Sequence, residues 1–502
     1  MMIIQAAAGR IEASAADAII LHLFEGSAPT DGTAFVDAAL DGAIRDLVAG
    51  GDFSGKLGEV AVLYPRGILP ARRVLIAGLG PRESLTAETV RRASASAVLK
   101  ARDLKVKAAA SLIHGTGAGG LPVEVAAQAV TEGSLLALYT YHGQKTAEVP
   151  EDFPKSLDLL ILDDNDPRAA EGIRAGMSIA AGVQLARDLV NLPPNICTPA
   201  YLAQAAQEMA QTAGLRCEVL DREQMRALKM GALLGVAQGS DTPPKFIILE
   251  HNAGRDDLET LVLVGKGVTF DTGGYNLKTS DGMSTMKGDM AGGAAVIGAL
   301  RALAGLNVPL RVVGLIPAAD NMISGGAYRP QEVLTASSGI TIEIVSTDAE
   351  GRLLLADALV YAARCNPAAV VDIATLTGSC VTALGVNVAA GLFSTSDRLR
   401  DLLVAAGTET AEKVWPLPLY PEYDKTIESN TADIKNSGGS RGGVGTSAAF
   451  LKRFASCPAW AHIDMAGMTW DQPDTPYMPK GATGYGVRLL TEFVRRWAKT
   501  GT

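Results

Sequence analysis

Ser346-Thr347-Asp348-Ala349-Glu350-Gly351-Arg352-Leu353 is the stretch on which the reading of this chain turns. Two acids stand two apart, and an extended backbone points alternate side chains to one side. Before it, Thr341-Ile342-Glu343-Ile344-Val345 reads as a strand; after it, Leu353 to Val360 reads as a helix. The acids are therefore expected at the carboxyl end of a strand, where open α/β sheets place their ligands. A second stretch repeats the layout. Leu261-Val262-Leu263-Val264 reads as a buried strand from its unbroken apolar run. It leads into Lys266, Asp271, the pair Gly273-Gly274, and Lys278. Asp289 follows, just before an Ala/Gly-rich helix expected from Met290 to Leu303.

Working outward, strand and helix signals alternate along the whole chain, which predicts an α/β fold. Residues 1–165 read as a small N-terminal α/β domain, with strands at Ala16–Leu21, Arg73–Ala77 and Leu157–Leu162. A helix is expected from Thr86 to Ala101, with Thr86 as its N-cap. Gly78-Leu79-Gly80-Pro81 begins like a dinucleotide fingerprint but lacks the third glycine, so it reads as a tight turn. The polar run Asp163-Asp164-Asn165-Asp166-Pro167-Arg168 breaks the pattern. A long helix from Ala169 to Val190 follows and stops before Asn191-Leu192-Pro193-Pro194-Asn195, because proline cannot continue it. Residues 166–192 are read as a linker helix, and 193–502 as a larger catalytic domain with a mixed sheet closing on a helix from Val487 to Ala498. The glycine-rich run Asn436 to Gly443 reads as a loop, either a lid or plain surface.

Bulk properties narrow the function classes. A chain of 502 residues has room for two or three domains at about 100–200 residues each. A net charge of −9 argues against general nucleic-acid binding. No apolar run approaches the ~18 residues of a membrane span, and Met1-Met2-Ile3-Ile4-Gln5 lacks the charged start of a signal peptide. Five scattered cysteines form no Cys-x-x-Cys pair, which points to a reducing, cytoplasmic setting. The five histidines show no zinc-binding spacing.

The polar residues at the strand ends carry the chemistry: Lys266, Asp271, Lys278, Asp289, Asp348, Glu350 and Arg352. Each has a plainer role when taken alone. Asp289 could cap a helix, Asp348 and Glu350 could form a solvated turn, Lys266 could be a surface charge, and Arg352 could pair with Glu350. As a set, four carboxylates brought together could not all stay ionised without cations. Two divalent ions supply +4 against −4, and a bridging hydroxide leaves one negative charge for Lys278 and Arg352 to offset. Such a pair of ions activates water and polarises a carbonyl or phosphoryl oxygen. The oxygen-rich donors suit Mg or Mn, and Zn also accepts carboxylates. The residues alone thus give a metal hydrolase, with a phosphoesterase as open an option as a peptidase.

The same stretches resemble the leucyl aminopeptidase family of dinuclear metallopeptidases. The family pattern Asn-Thr-Asp-Ala-Glu-Gly-Arg-Leu stands here as Ser346 to Leu353 with one change, and the Lys-Asp-Lys-Asp spacing as Lys266, Asp271, Lys278 and Asp289. The resemblance extends over Asn191–Asn195, Gly231–Gly235, Ser324–Pro330, Ala374–Gly378 and His462–Gly467, and so over essentially all of residues 180–500. It implies one metal held by Lys266, Asp271, Asp289 and Glu350, and another held by Asp271, Asp348 and Glu350. It implies that Lys278 stabilises the oxyanion and that Arg352 holds a bicarbonate acting as general base. Met286, Thr375, Gly378 and Ala466 would line an apolar pocket for the first side chain. The implied protein is a cytoplasmic homohexamer using Zn or Mn to remove N-terminal leucine and other apolar residues from peptides. Some members of the family bind DNA, which the acidic charge disfavours here. His462 is read as structural. Ser346 stands where the family has Asn, Thr272 where Ser is commoner, and Gln331-Glu332 where Gly-Asp is usual; none removes an expected catalytic group.

Overall fold

The computed structural model describes residues 2–146, 157–163, 166–439, 441–471 and 475–500. Asp164 and Asn165 of the polar break, and Ser440 of the glycine-rich run, lie outside them. The chain forms two compact units. One runs to Ala180 and takes in a short stretch around Tyr477 that ends at Lys480; the other runs from Ala181 to Asp471 and resumes at Gly481.

The first unit is built on β1 (Ile4–Ala8), β2 (Ala18–Leu23), β3 (Val60–Leu63), β4 (Val74–Gly78), β5 (Ala108–Leu112) and β6 (Asp158–Asp163). Their order is β1-β6-β5-β2-β4-β3, parallel throughout except for β3 against β4. Helices α1 (Asp31–Ala39) and α2 (Ala43–Ala49) pack Val36 and Ile44 on Ile19, Leu21 and Ile76. Helices α3 (Ala87–Asp103) and α4 (Val123–Ala137) pack Val90, Ala97, Ala129 and Val130 on the opposite face, against Ile20, Leu75 and Ile161. Covering both faces explains why these strands read as unbroken apolar runs. Thr86 caps α3 as expected, its side chain accepting from Thr89 N. Helix α5 (Pro167–Asn191) carries the chain from the first unit into the second.

In the second unit the strands, in chain order, are β7 (Arg216–Leu220), β8 (Lys245–His251), β9 (Thr260–Gly265), β10 (Gly267–Asp271), β11 (Arg311–Asn321), β12 (Val333–Thr335), β13 (Thr341–Glu343), β14 (Ala369–Ala374), β15 (Ala390–Ser394), β16 (Val414–Pro416), β17 (Ile434–Lys435) and β18 (Trp460–Asp464). A mixed sheet runs β16-β15-β18-β14-β9-β11-β8-β7, and β12-β13-β17 form a small separate sheet. Strands β9 and β10 lie end to end along β11: β9 pairs with Arg311–Leu315, and β10 with the stretch from Ala318 to Asn321. The chain jogs between them at Lys266, whose N–H donates to Ile373 O on β14. Helix Ala291–Leu303 crosses so close to this jog that a Cβ on Gly292 would stand 2.2 Å from Ile373 O. Only glycine permits that approach. A buried cluster including Val262, Val264, Leu315, Leu353, Leu354 and Leu359 fills the space between the sheet and helix Gly351–Ala362.

The sequence reading needs one correction of geometry. β13 ends at Glu343 and belongs to the small sheet, not the open one, and Thr347-Asp348 form a turn rather than extended chain. Asp348 and Glu350 converge because the turn folds them together. Asp289 is not the cap of the following helix: Met290 is, and no side chain caps there. Among the described residues, no helix is long and apolar enough to cross a membrane, and all five cysteines are free.

Candidate metal centre

Three loops meet over the carboxyl ends of β9, β10 and β14. The jog at Lys266 is set by the sheet itself. The Asp271–Lys278 loop is tied to the Ser346–Leu353 loop by Asn276 and Thr347: Thr347 N donates to Asn276 Oδ1 (2.8 Å), and Asn276 N donates to Thr347 Oγ1 (2.9 Å). Asn321, at the end of β11, donates to Asp271 Oδ1 (2.8 Å) and to Thr347 O (2.9 Å). Tyr328 OH donates to the same Thr347 carbonyl at 2.8 Å. At the start of helix Gly351–Ala362, a Cβ on Gly351 would stand 2.4 Å from Lys266 Cε, so glycine leaves the corridor through which the lysine reaches the centre.

All the residues expected at the site border one cavity of about 770 Å³: Lys266, Asp271, Lys278, Asp289, Asp348, Glu350 and Arg352, with Met286, Thr375, Gly378 and Ala466 on its walls. Lys266, Asp271, Asp289 and Glu350 are at most 4% exposed, whereas Asp348 stands at the open side. Carboxylate oxygens of Asp271, Asp348 and Glu350 all lie within 4.8 Å of one another. Lys266 Nζ bridges Asp289 Oδ1 and Glu350 Oε1, each at 2.8 Å, and donates to Thr375 O at 2.9 Å. Lys278 Nζ bridges Asp271 Oδ2 (2.8 Å) and Asp348 Oδ1. Thr375 Oγ1 donates to Asp289 Oδ1 at 2.7 Å.

The electrostatics follow from burial. Loss of water pushes Asp271, Asp289 and Asp348 above the usual carboxylate range, and mutual repulsion adds to it. Burial opposes the ammonium forms of Lys266 and Lys278, but the surrounding carboxylates outweigh it and raise both. Asp289 Oδ2 is buried with no hydrogen-bond partner. A desolvated carboxylate oxygen left like this is costly unless positive charge faces it. This donor set, oxygen-rich with one amine and one orphaned carboxylate oxygen, fits divalent cations. Arg352 is 6% exposed, and burial lowers it to about 10. It forms no ion pair among the described residues; Nη1 donates to Asn436 O at 2.8 Å, and Nε has no partner. A buried guanidinium with an idle donor on a cavity wall can hold a small anion.

Sequence reasoning missed the residues that hold this geometry. Besides Asn321, Tyr328, Asn276 and Thr347, they are Asn436 and Asp464. Asn436 accepts from Val345 N at 2.8 Å and donates to Ser346 O, fixing the acidic turn from the glycine-rich run. Asp464 Oδ1 accepts from Leu376 N (3.2 Å), Thr377 N (3.3 Å) and Ala466 N (3.3 Å), and Oδ2 from Thr377 Oγ1 (2.6 Å). Both pocket loops thus hang from one carboxylate. The available signal was position: Asn321 closes an apolar strand, and Asp464 closes another. His462, next to it, is fully buried, with Nδ1 2.5 Å from Asp372 Oδ1, and lies outside the cavity lining.

Comparison with known proteins converges on one family. The model of the cytosol aminopeptidase family catalytic domain matches residues 184–491, and that of its N-terminal domain matches 20–148. A probable cytosol aminopeptidase of Geotalea uraniireducens is 46% identical over 462 residues, covering 92% of each chain. One of Roseiflexus castenholzii is 44% identical over 501 residues, covering 98% of this chain and 99% of its own. Among solved structures, a mutant of tomato leucine aminopeptidase superposes with a TM-score of 0.86 at 34% identity, covering 99% of this chain and 97% of its own. The bottromycin maturation enzyme BotP in complex with Mn gives 0.84 at 35% identity, covering 96% and 100%. With matched models over both its parts and a cavity whose donors fit divalent cations, the chain belongs to the cytosol aminopeptidase family and is a metal-dependent peptidase.

Proposed function

We propose that this protein removes the N-terminal residue of peptides, favouring leucine and other apolar side chains, with two divalent ions in the cavity. The observation that carries the reading is that five donors line one cavity: Asp271, Asp348 and Glu350 lie within 4.8 Å of one another, and Lys266 links Glu350 to Asp289. In this reading Lys266, Asp271, Asp289 and Glu350 hold one ion, and Asp271, Asp348 and Glu350 hold the other. The ions, Zn or Mn, would supply an activated water and a Lewis acid for the scissile carbonyl.

The chain's own groups do the rest. Lys278, which borders the cavity and is kept charged by its acidic neighbours, donates to the oxygen on which charge develops. Arg352 holds a small anion, bicarbonate in this reading, which would serve as the general base towards the activated water. Lys266 acts as a ligand only as the neutral amine, so its proton leaves when the site loads. Met286, Thr375, Gly378 and Ala466 shape the pocket for the first side chain; Gly378 and Ala466 leave room for a branched apolar group. Assembly as a homohexamer and a cytoplasmic location belong to the same reading.

The test is a substrate pair. A leucyl amide or leucyl peptide should be cleaved, and its N-acetyl counterpart should not, because acetylation removes the basic lone pair of the α-amine. Chelation should abolish the activity, and Mn or Zn should restore it. Equal cleavage of free and acetylated peptides would sink the assignment, and hydrolysis of an aryl phosphate in place of both would point to the phosphoesterase.

A further inference from the structure

A second cavity, of about 450 Å³, opens within the first unit. Its place follows from topology. β2 leads to α1, which packs on one face of the sheet, whereas β5 leads to α4 on the other. Neighbouring parallel strands whose connections leave to opposite faces part at their carboxyl ends, and open α/β sheets bind ligands in that crevice. The cavity lies there. His22 borders it from β2, Leu112 and Ile113 from the end of β5, and Phe35 from α1. Ile11 and Leu162 complete an apolar floor.

The hydrogen bonds decide what one end of this cavity can accept. Ser111 Oγ donates to Leu112 O at 2.9 Å, so the same oxygen receives from His114 Nε2, 3.4 Å away. A neutral imidazole protonated at Nε2 is bare at Nδ1. His114 Nδ1 lies 3.3 Å from His22 Nδ1, so His22 donates there and its own Nε2 is left as a lone pair. Burial holds both rings neutral, pushing His22 down to about 4 and His114 well below its usual value. His22 is 4% exposed, its Nε2 has no hydrogen-bond partner, and it borders the cavity where His114 does not. The ring therefore carries an unsatisfied acceptor on its edge away from His114, buried in the wall of the cavity that His22 borders.

The rim is acidic. Arg10 is paired with Glu12 and stacked over Phe35, 5.7 Å from the ring centroid. Asp166 is paired with Arg168 at 2.6 Å. Among the described residues Asp31 accepts from the backbone N–H of Ala118, at 3.2 Å, and is in no ion pair, so its negative charge stands beside His22. A carboxylate and a bare imidazole nitrogen over an apolar floor call for a donor-rich, positively charged head on an apolar body. A phosphate or carboxylate would meet charge of its own sign.

We propose that this cavity is a binding site for a small primary amine, its ammonium on Asp31 and His22 and its apolar body against Leu112, Ile113 and Phe35. The site is separate from the catalytic cavity and does not depend on the peptidase reading.

Ligand-observed fluorine NMR on the full-length, metal-loaded enzyme tests it, with 4-fluorobenzylamine, 4-fluorobenzyl alcohol and 4-fluorobenzoate as probes. The amine should bind saturably, the alcohol about tenfold more weakly or worse, and the benzoate not at all. The catalytic centre also attracts amines, so location is read from variants. Asp31→Asn, at an exposed position that will not disturb folding, should weaken amine binding by about tenfold while kcat/KM for a leucyl amide stays unchanged. His22→Phe should do the same to the amine. Equal amine affinity in wild type and Asp31→Asn, preference for the benzoate, or no saturable amine binding at millimolar concentration each overturns the proposal.

Discussion

Lys266 and Lys278 carry the same charge into the same acidic cluster, but the proposed chemistry asks opposite things of them. Lys278 must keep its proton to face developing negative charge. Lys278→Ala should therefore lower kcat by about 10²–10³ with little change in KM. Metal content, measured by elemental analysis, should be unchanged; loss of metal would make Lys278 a ligand instead. Lys266 must give its proton up. Lys266→Arg puts a permanently charged guanidinium at that position, so one ion should be lost or weakened. Full occupancy of both sites in that variant at neutral pH would remove Lys266 from the ligand set. These groups were legible in the sequence only as a set, because four carboxylates gathered among lysines call for cations while each residue alone had a plainer role. Asn321, Tyr328 and Asn436 were not, since each works by binding main-chain groups of the Val345–Ala349 turn. Nothing in residue type or spacing announces a partner that is a backbone carbonyl or N–H.

At the scale of elements, the pocket depends on how β14 and β18 end. They pair in parallel, and both terminate at the cavity, with Asp464 holding the two departing loops. Asp464→Asn leaves one neutral acceptor oxygen for the three N–H groups that now meet Oδ1, and sets an NH2 against Thr377 Oγ1, which must turn round to accept. The expected result is a protein that folds with a stability loss of about 1–3 kcal/mol. Discrimination between leucyl and alanyl amides should fall, mainly through KM for the leucyl substrate, and full retention would show that the loops hold their place without it. The long apolar strands and helices were readable from periodicity, and Thr86 from its capping chemistry. The acidic turn was misread as extended because alternation and a tight turn both bring residues two apart to one side. β13, three residues long, gave too little pattern to reveal that it joins a separate sheet.

For the molecule as a whole, the buried pair His22 and His114 sets a pH limit on the first unit. Burial depresses their folded values, so the unfolded chain takes up protons that the folded unit refuses. Their contribution is fully present above about 6.5 and is lost as pH falls towards the folded values. For His22 alone, a shift from 6.5 to about 4 corresponds to about 3 kcal/mol. Native-state hydrogen exchange of the β2 and β5 amides, corrected for intrinsic rates, should show protection falling across that window, while the double variant His22→Phe/His114→Leu should show a flatter profile. Equal slopes in the two proteins would mean that the pair is not held neutral. The first unit also has a consequence for synthesis. Tyr477 OH reaches both oxygens of Glu88, at 2.9 and 2.8 Å, beside the buried Arg91–Glu132 pair. Some 390 residues separate phenol from carboxylate along the chain. Domains generally fold in the order the ribosome delivers them, yet this one takes a partner for Glu88 from a residue made some 390 positions later. Until then a nascent chain must carry Glu88 without its phenol, and a transcript cut short before Tyr477 leaves the N-terminal unit permanently unfinished.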